Sequence, residues 1–327
     1  PRSTLFPYTT LFRSLVALGN GFFATSLVSR IGALYAADDP RRDRAYMLYY
    51  LGINVGSFAA PLCCGLLAQH YGWHAGFGAA AIVMVLGLGL YLSCQALLPH
   101  GRDGDDPSAP SGDAGYQPHR NALLFLASVL SLVVLFRLGY EQMGNSIALW
   151  IDRDVDRGVG GMLIPTPWFQ SLNPLFIFLL SPVLALYWRR RDEGGRTIAP
   201  LAKMATGACF AGAAFLTLAA GAIGGASVPV GFVLGYFLLM TIAELHVFPI
   251  GLALIARFSS SRNRSTMIGL WYFVKFLASM AAGAFAAVGG QVPPATFFTA
   301  NLALALAVAA LMAILHRATR RAMGVFS

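Results

Sequence analysis

The sequence predicts an all-α polytopic membrane protein, and three observations carry that reading. Hydrophobic residues make up 57% of the chain and charged residues 11%. Mean hydropathy is +0.64. Apolar runs of about twenty residues recur from Leu15 to Leu315, the length that a ~30 Å hydrocarbon core requires of a helix. In lipid such a run must satisfy its own backbone groups, and a helix does so within one segment.

Proline, glycine and charge divide the runs into nine expected helices, at 15–35, 45–69, 75–98, 121–151, 166–188, 200–222, 229–256, 266–288 and 294–316. Charged "DDPRRDR" closes the first, Gly72 the second and Pro99 the third. The stretch "PHGRDGDDPSAPSGDAGYQPHR" (99–120) is the one polar, Pro/Gly/Asp-rich linker, and it separates three helices from six. Asp152 ends the fourth, Arg189 the fifth and Arg257 the seventh. Pro200, Pro229 and Pro294 open the sixth, seventh and ninth, and Gly289-Gly290 closes the eighth. Residues 317–327 form a basic tail. The sequence has no short-period repeat.

Charge parity gives the topology. Loops 36–44, 99–120, 189–203, 257–264 and the tail hold sixteen Lys/Arg, whereas the intervening loops hold two. The positive-inside rule assigns the first set, and with it the C-terminus, to the cytoplasm of a cell (inner) membrane. The helix at 15–35 then enters from outside, so an odd number of helices is expected before it. The net charge of +9 is spread over short loops as topology demands, so no nucleic-acid partner is implied. Cys63, Cys64, Cys94 and Cys209 lie in apolar runs without metal-ligand spacing, and no metal or cofactor is expected. The first residues lack the pattern of a secretory signal.

The opening stretch "TLFPYTTLFRS" (Thr4–Ser14) fits neither a targeting nor a spanning segment. It is the triplet reading of a string similar to a widely used short-read sequencing adapter. Residues 1–14 are therefore expected to be adapter-derived, with biological sequence beginning near Leu15.

Of fourteen Asp/Glu, only Glu141 and Glu244 fall in the middle of apolar runs; Arg137 and Lys275 are their basic counterparts, with Arg30 nearer a helix end. An ionisable group near the bilayer centre costs at least ~2.5–3.5 kcal/mol, so it faces a cavity or a partner. Arg137 and Glu141, spaced i, i+4, share one helix face and could pair. Such groups either hold the bundle together or carry protons between two access states. His246 reads as a local polar contact ahead of a proton relay. Pro174 in "SLNPLF" and Pro249 in "HVFPIG" are expected to kink their helices and mark gates. No HExxH, GxSxG or paired Asp/His site occurs, so an enzyme is disfavoured.

At "GNGFFATS", "DDPRRD", "YYLGINVGSFAAPLCCGLLAQHYGWHAGFG", "YEQMGNS", "WFQSLNPLFIFLLSP" and "AELHVFPIGL" the chain resembles the proton-dependent oligopeptide transporters of the major facilitator superfamily. The match runs in order from Gly19 to Gly283. The resemblance implies a twelve-helix fold of two six-helix halves that rock about a central pocket, importing di- and tripeptides with protons. The nine helices then correspond to helices four to twelve, with 15–98 a three-helix remnant of the first bundle and 121–316 the second. Three helices would be missing, an odd number as parity requires, and the chain alone is expected to be inactive. Bacterial members often carry two extra helices between the halves, for which 99–120 leaves no room.

The resemblance further implies that Tyr50 and Asn54, in the signature, and Asn173, in SLNP, contact substrate. Glu141 would couple protons and gate the inside, Glu244 would meet the peptide amino terminus, and Trp271 in "MIGLW" would line the pocket. Three positions depart from the family pattern. Ala24 stands where many members have a lysine, Arg137 where a tryptophan is usual, and Lys275 where a small or polar residue is usual. Arg137 and Lys275 are therefore expected to pair with Glu141 and Glu244, and with the peptide carboxylate. A monomer is expected, needing no cofactor beyond the proton gradient. Two alternatives stay open: transport of another peptide-like or anionic solute, and a non-transporting membrane protein.

Overall fold

The computed structural model describes residues 40–95, 120–224, 227–257 and 264–323, together with Leu15 and Gly19. The expected helix 15–35, the adapter-like segment, most of the linker 99–120, Ala24 and Arg30 lie outside the described residues. The remaining eight expected spans all form helices, labelled here α1 (Pro40–Tyr71), α2 (Trp73–Cys94), α3 (Arg120–Tyr140), α4 (Ser146–Asp154), α5 (Leu172–Glu193), α6 (Pro200–Ile223), α7 (Val230–Arg257), α8 (Arg264–Gly289) and α9 (Pro294–Met323). Among the described residues, eight segments are long and apolar enough to cross a membrane, α3 and α4 together making one of them.

The chain divides into two compact units, residues 1–55 with 81–111 and residues 56–80 with 112–327. The first contributes the N-terminal part of α1 and most of α2, both with apolar residues exposed along their length, Leu51, Val83 and Leu90 among them.

The second unit has a continuous core built on α6. Its inner face is a run of small residues, Gly207, Ala208, Ala211, Gly212 and Ala214, with Met204, Phe215 and Leu218 at intervals. Small side chains let neighbouring helix backbones approach closely, which matters in lipid, where apolar surface gains little by leaving the solvent. A Cβ on Gly207 would lie 2.7 Å from the Cβ of His246 and 2.9 Å from the Ala243 carbonyl oxygen on α7, so only glycine fits that crossing. Trp150 of α4 meets Phe298 of α9 edge-to-face at 4.9 Å, closing the core on the α9 side.

Two features depart from the expected helices. The predicted helix 121–151 is not continuous, because Glu141–Gly144 forms a 3-10 turn between α3 and α4. Asn145 follows at φ −109°, ψ −105°, outside the helical region, and its N–H donates to the Gln142 carbonyl at 3.1 Å. The proline expectation is also corrected in part. Pro174 falls in the first turn of α5, after the 3-10 helix Thr166–Ser171, where no intrahelical N–H partner is lost. Pro249 does sit inside α7, and Pro182 inside α5. The discontinuity in this unit is therefore set by "EQMGN".

Short β-bridges tie the loop between α4 and α5. β1 (Val155–Asp156) pairs in parallel with β4 (Val228–Pro229), and β2 (Gly158–Val159) pairs antiparallel with β3 (Met162–Leu163). The loop's 3-10 helix leans on the second half of α1. Trp168 Nε1 donates to the Leu62 carbonyl at 3.0 Å and Ser171 Oγ to the Phe58 carbonyl at 2.7 Å. A Cβ on Gly65 would come within 3.1 Å of Pro167 and Trp168, so the same face of α1 is pared down where the loop lies on it.

Candidate functional site

The break after Tyr140 builds the site. A 3-10 turn leaves carbonyls without their α-helical donors, and buried carbonyls must find others. Gln170, on the 3-10 helix before α5, donates its Nε2 to the Met143 carbonyl at 3.0 Å. Gln142 is fully buried, and its Nε2 bridges the Leu138 carbonyl at 3.0 Å and the Ala282 carbonyl of α8 at 3.1 Å. Its Oε1 accepts from Ser146 at 3.0 Å. The turn is thus pinned on both sides by amide side chains, which carry no charge into the interior.

Arg137 and Glu141 face each other across this turn. Nη1 to Oε1 is 2.8 Å, and the side chains are 8% and 23% exposed. The guanidinium is packed away while the carboxylate still reaches open space. Phe248 on α7 lies under the guanidinium, 4.1 Å from Cζ to ring centroid. Phe136 and Tyr140 meet the same ring edge-to-face at 5.6 and 5.0 Å. A desolvated cation over an aromatic face gains about 2 kcal/mol, which offsets part of the cost of placing Arg137 in lipid.

The second carboxylate is held differently. Asn173 Nδ2 donates to Glu244 Oε2 at 2.7 Å and to Thr241 Oγ1 at 3.2 Å. Thr241 spends its own hydrogen on the Phe237 carbonyl at 2.7 Å, leaving a lone pair free for Asn173. The Tyr140 phenol faces the same carboxylate. Glu244 forms no ion pair among the described residues.

Tyr140, Glu141, Met143, Gly144, Asn145, Gln170 and Asn173 line an open pocket of about 270 Å³. Its functional groups are one phenol, one carboxylate and three amides, with no cation.

The structure brings together four of the predicted site residues: Arg137, Glu141, Asn173 and Glu244. Trp271 is buried against α7, its Cη2 2.8 Å from where a Cβ on Gly251 would stand, and is absent from the pocket lining. Lys275 is exposed and makes no ion pair among the described residues, so the expected Lys275–Glu244 pair does not form in this structure. Tyr50 and Asn54 belong to the other unit, one turn apart on α1, with Asn54 Nδ2 donating to the Tyr50 carbonyl at 2.9 Å. His246 makes the local contact anticipated for it. Nδ1 donates to the Ile242 carbonyl at 2.8 Å, and Trp188 meets the ring at 5.3 Å.

Sequence reasoning missed Tyr140, Thr241, Phe248 and Gln170. One signal was available for Phe248 and Tyr140. An arginine in an apolar run wants an aromatic face as well as an anion, and Phe248 stands one turn beyond Glu244.

A bundle of apolar helices with a broken segment and facing intramembrane carboxylates defines a multi-pass membrane protein of transporter architecture. The comparisons make the family specific. The family profile PTR2, the POT family, matches residues 4–114 and 112–296, so the chain belongs to the POT family. The chain is 29% identical over 374 residues to the peptide transporter YePEPT of Yersinia enterocolitica subsp. palearctica serotype O:3 (strain YE-P4), covering 92% of this chain and 73% of that protein. It is 27% identical over 322 residues to dipeptide and tripeptide permease A of Erwinia pyrifoliae, covering 82% of this chain and 64% of that one.

Among solved structures, a mutant of peptide transporter POT in complex with alafosfalin superposes with a TM-score of 0.79 at 23% identity, over 93% of this chain and 74% of that one. A POT family transporter in complex with a thioalcohol-conjugated peptide gives 0.80 at 18% identity, over 92% and 74%. These likenesses establish the fold.

Proposed function

We propose that the protein to which this chain belongs imports di- and tripeptides together with protons, by alternating access across the inner membrane, with its C-terminus in the cytoplasm. The observation that carries the reading is a pair of intramembrane carboxylates held in unlike ways, Glu141 lining the pocket and Glu244 hydrogen-bonded to its lining residue Asn173. Glu141 is ion-paired to Arg137 at 2.8 Å, whereas Glu244 is hydrogen-bonded to Asn173 at 2.7 Å. Two carboxylates with different partners can exchange a proton and a cation as the helices carrying them move, which is what coupled transport requires.

The pocket chemistry supports a peptide over an anionic solute. An amino terminus is a compact ammonium with three donors, and the pocket offers it three amides, one of which, Asn173, is hydrogen-bonded to the Glu244 carboxylate at 2.7 Å. The added cations, Arg137 and Lys275, do not line it. In this reading Glu244, through Asn173, meets the amino terminus, Glu141 and Arg137 form the coupling pair, and Tyr50, Asn54 and Trp271 contact the substrate elsewhere along its path. A monomer suffices, and the proton gradient is the sole energy source.

The test is uptake of labelled dialanine into proteoliposomes, acid outside, by the complete open reading frame that contains this chain. Accumulation above equilibrium that collapses when the pH gradient is dissipated is expected. Equal uptake with and without the gradient would remove proton coupling from the account.

A further inference from the structure

We propose that an arginine-lined pocket at the C-terminal end of α5 is a binding site for the phosphate headgroup of an anionic phospholipid. The pocket holds about 650 Å³ and is lined by Val183, Leu186, Tyr187, Arg190, Arg191 and Arg196, with Gly194 at its rim. It is separate from the pocket beside Glu141 and shares no residue with it.

The helix ending builds it. Gly195 takes φ +67°, its N–H donates to the Asp192 carbonyl at 3.1 Å, and the Arg196 N–H donates to the Arg191 carbonyl at 2.9 Å. This is the Schellman pattern, with a left-handed glycine after the last turn. It folds the chain back so that Arg196 joins Arg190 and Arg191 around one hollow. Of the two acids at this end, Glu193 pairs with Arg189 at 3.4 Å, and neither it nor Asp192 lines the pocket. The three lining arginines form no ion pair among the described residues.

Arg191 is partly organised already. Its Nη1 donates to the Tyr187 hydroxyl at 3.0 Å, while its Nε is buried and lacks a partner among the described residues. A buried donor without a partner marks a group awaiting an acceptor. A phosphate offers several oxygens to a guanidinium fork at once. The wall beneath it is Val183 and Leu186, both exposed, running toward the middle of the span. A soluble anion has no use for that wall, whereas an acyl chain covers it. This is also the loop with the most Lys/Arg, five between 189 and 203, so by charge it faces the anionic cytoplasmic leaflet.

The proposal stands apart from the transport reading, because its test measures lipid retention. The chain is purified in detergent, offered equimolar phosphatidylglycerol and phosphatidylcholine, and the retained lipid is counted by native mass spectrometry. Phosphatidylglycerol is expected to be retained about tenfold over phosphatidylcholine, since each basic contact near an anionic surface adds severalfold. The triple substitution Arg190→Gln/Arg191→Gln/Arg196→Gln is expected to bring the ratio to near unity, whereas Arg189→Gln leaves it unchanged. Arg191→Gln alone, which disturbs the helix end least, is expected to lower it at least threefold and serves if the triple variant does not fold. Equal retention of the two lipids by the wild type, or a preference that survives Arg191→Gln, overturns the proposal. Displacement of the lipid by millimolar inorganic phosphate overturns it too, and points to a soluble anion.

Discussion

Two faces of α7 show what this unit asks of its residues. Toward α6 it presents Ala243, His246 and Val247 to Gly207, a crossing so close that no Cβ fits. Toward α3 it presents Glu244 and Phe248 to Tyr140 and Arg137, a seam of charges, amides and rings with an open pocket beside it. One face gains stability from tight packing. The other accepts buried charge and a broken neighbouring helix, costs that packing alone would never select. The contrast separates residues that hold the fold from those proposed to serve transport.

Four substitutions break or sharpen that contrast. The largest effect is expected on the polar face, where Glu244→Gln in the complete open reading frame should lower gradient-driven dialanine uptake at least tenfold while thermal stability in detergent changes little. Next, Arg137→Ala leaves the partly buried Glu141 without its cation. Stranding one partner of a buried pair costs up to about 3–5 kcal/mol, less here because Glu141 reaches the pocket, so the melting temperature should fall, and Glu141→Gln added to it should restore part of the loss. On the packing face, Gly207→Ala forces α6 and α7 apart at a cost of about 1–3 kcal/mol. It should lower melting temperature while leaving the affinity of the remaining folded protein for peptide unchanged. The smallest effect is expected for Lys275→Ala, which should reduce uptake less than Arg137→Ala does, because Lys275 is exposed and forms no ion pair among the described residues.

The packing face was largely legible in the sequence. Apolar runs of spanning length and small residues in α6 announce themselves through composition alone. Half of the polar face was legible too, since Glu141, Glu244 and Arg137 stand out against an apolar background, and Asn173 follows from the family motif. The rest was not. The break at "EQMGN" leaves no mark distinguishing Gly144 from the many other membrane glycines; it depends on Gln142 and Gln170 supplying distant hydrogen bonds. Trp271 and Lys275 sit where rotation of α8 about its axis places them, and that rotation is fixed by neighbours such as Gly251 rather than by anything local.

The amino-terminal contact tests the central claim most directly. Gradient-driven uptake of dialanine and of N-acetyl-dialanine is compared in the same proteoliposomes, for the wild type of the complete reading frame. The account predicts that dialanine accumulates and the blocked peptide does not, because Asn173 in the pocket lining, backed by the Glu244 carboxylate, is arranged for an ammonium. Equal accumulation of the two would contradict it, and would move substrate recognition away from Glu244 and Asn173.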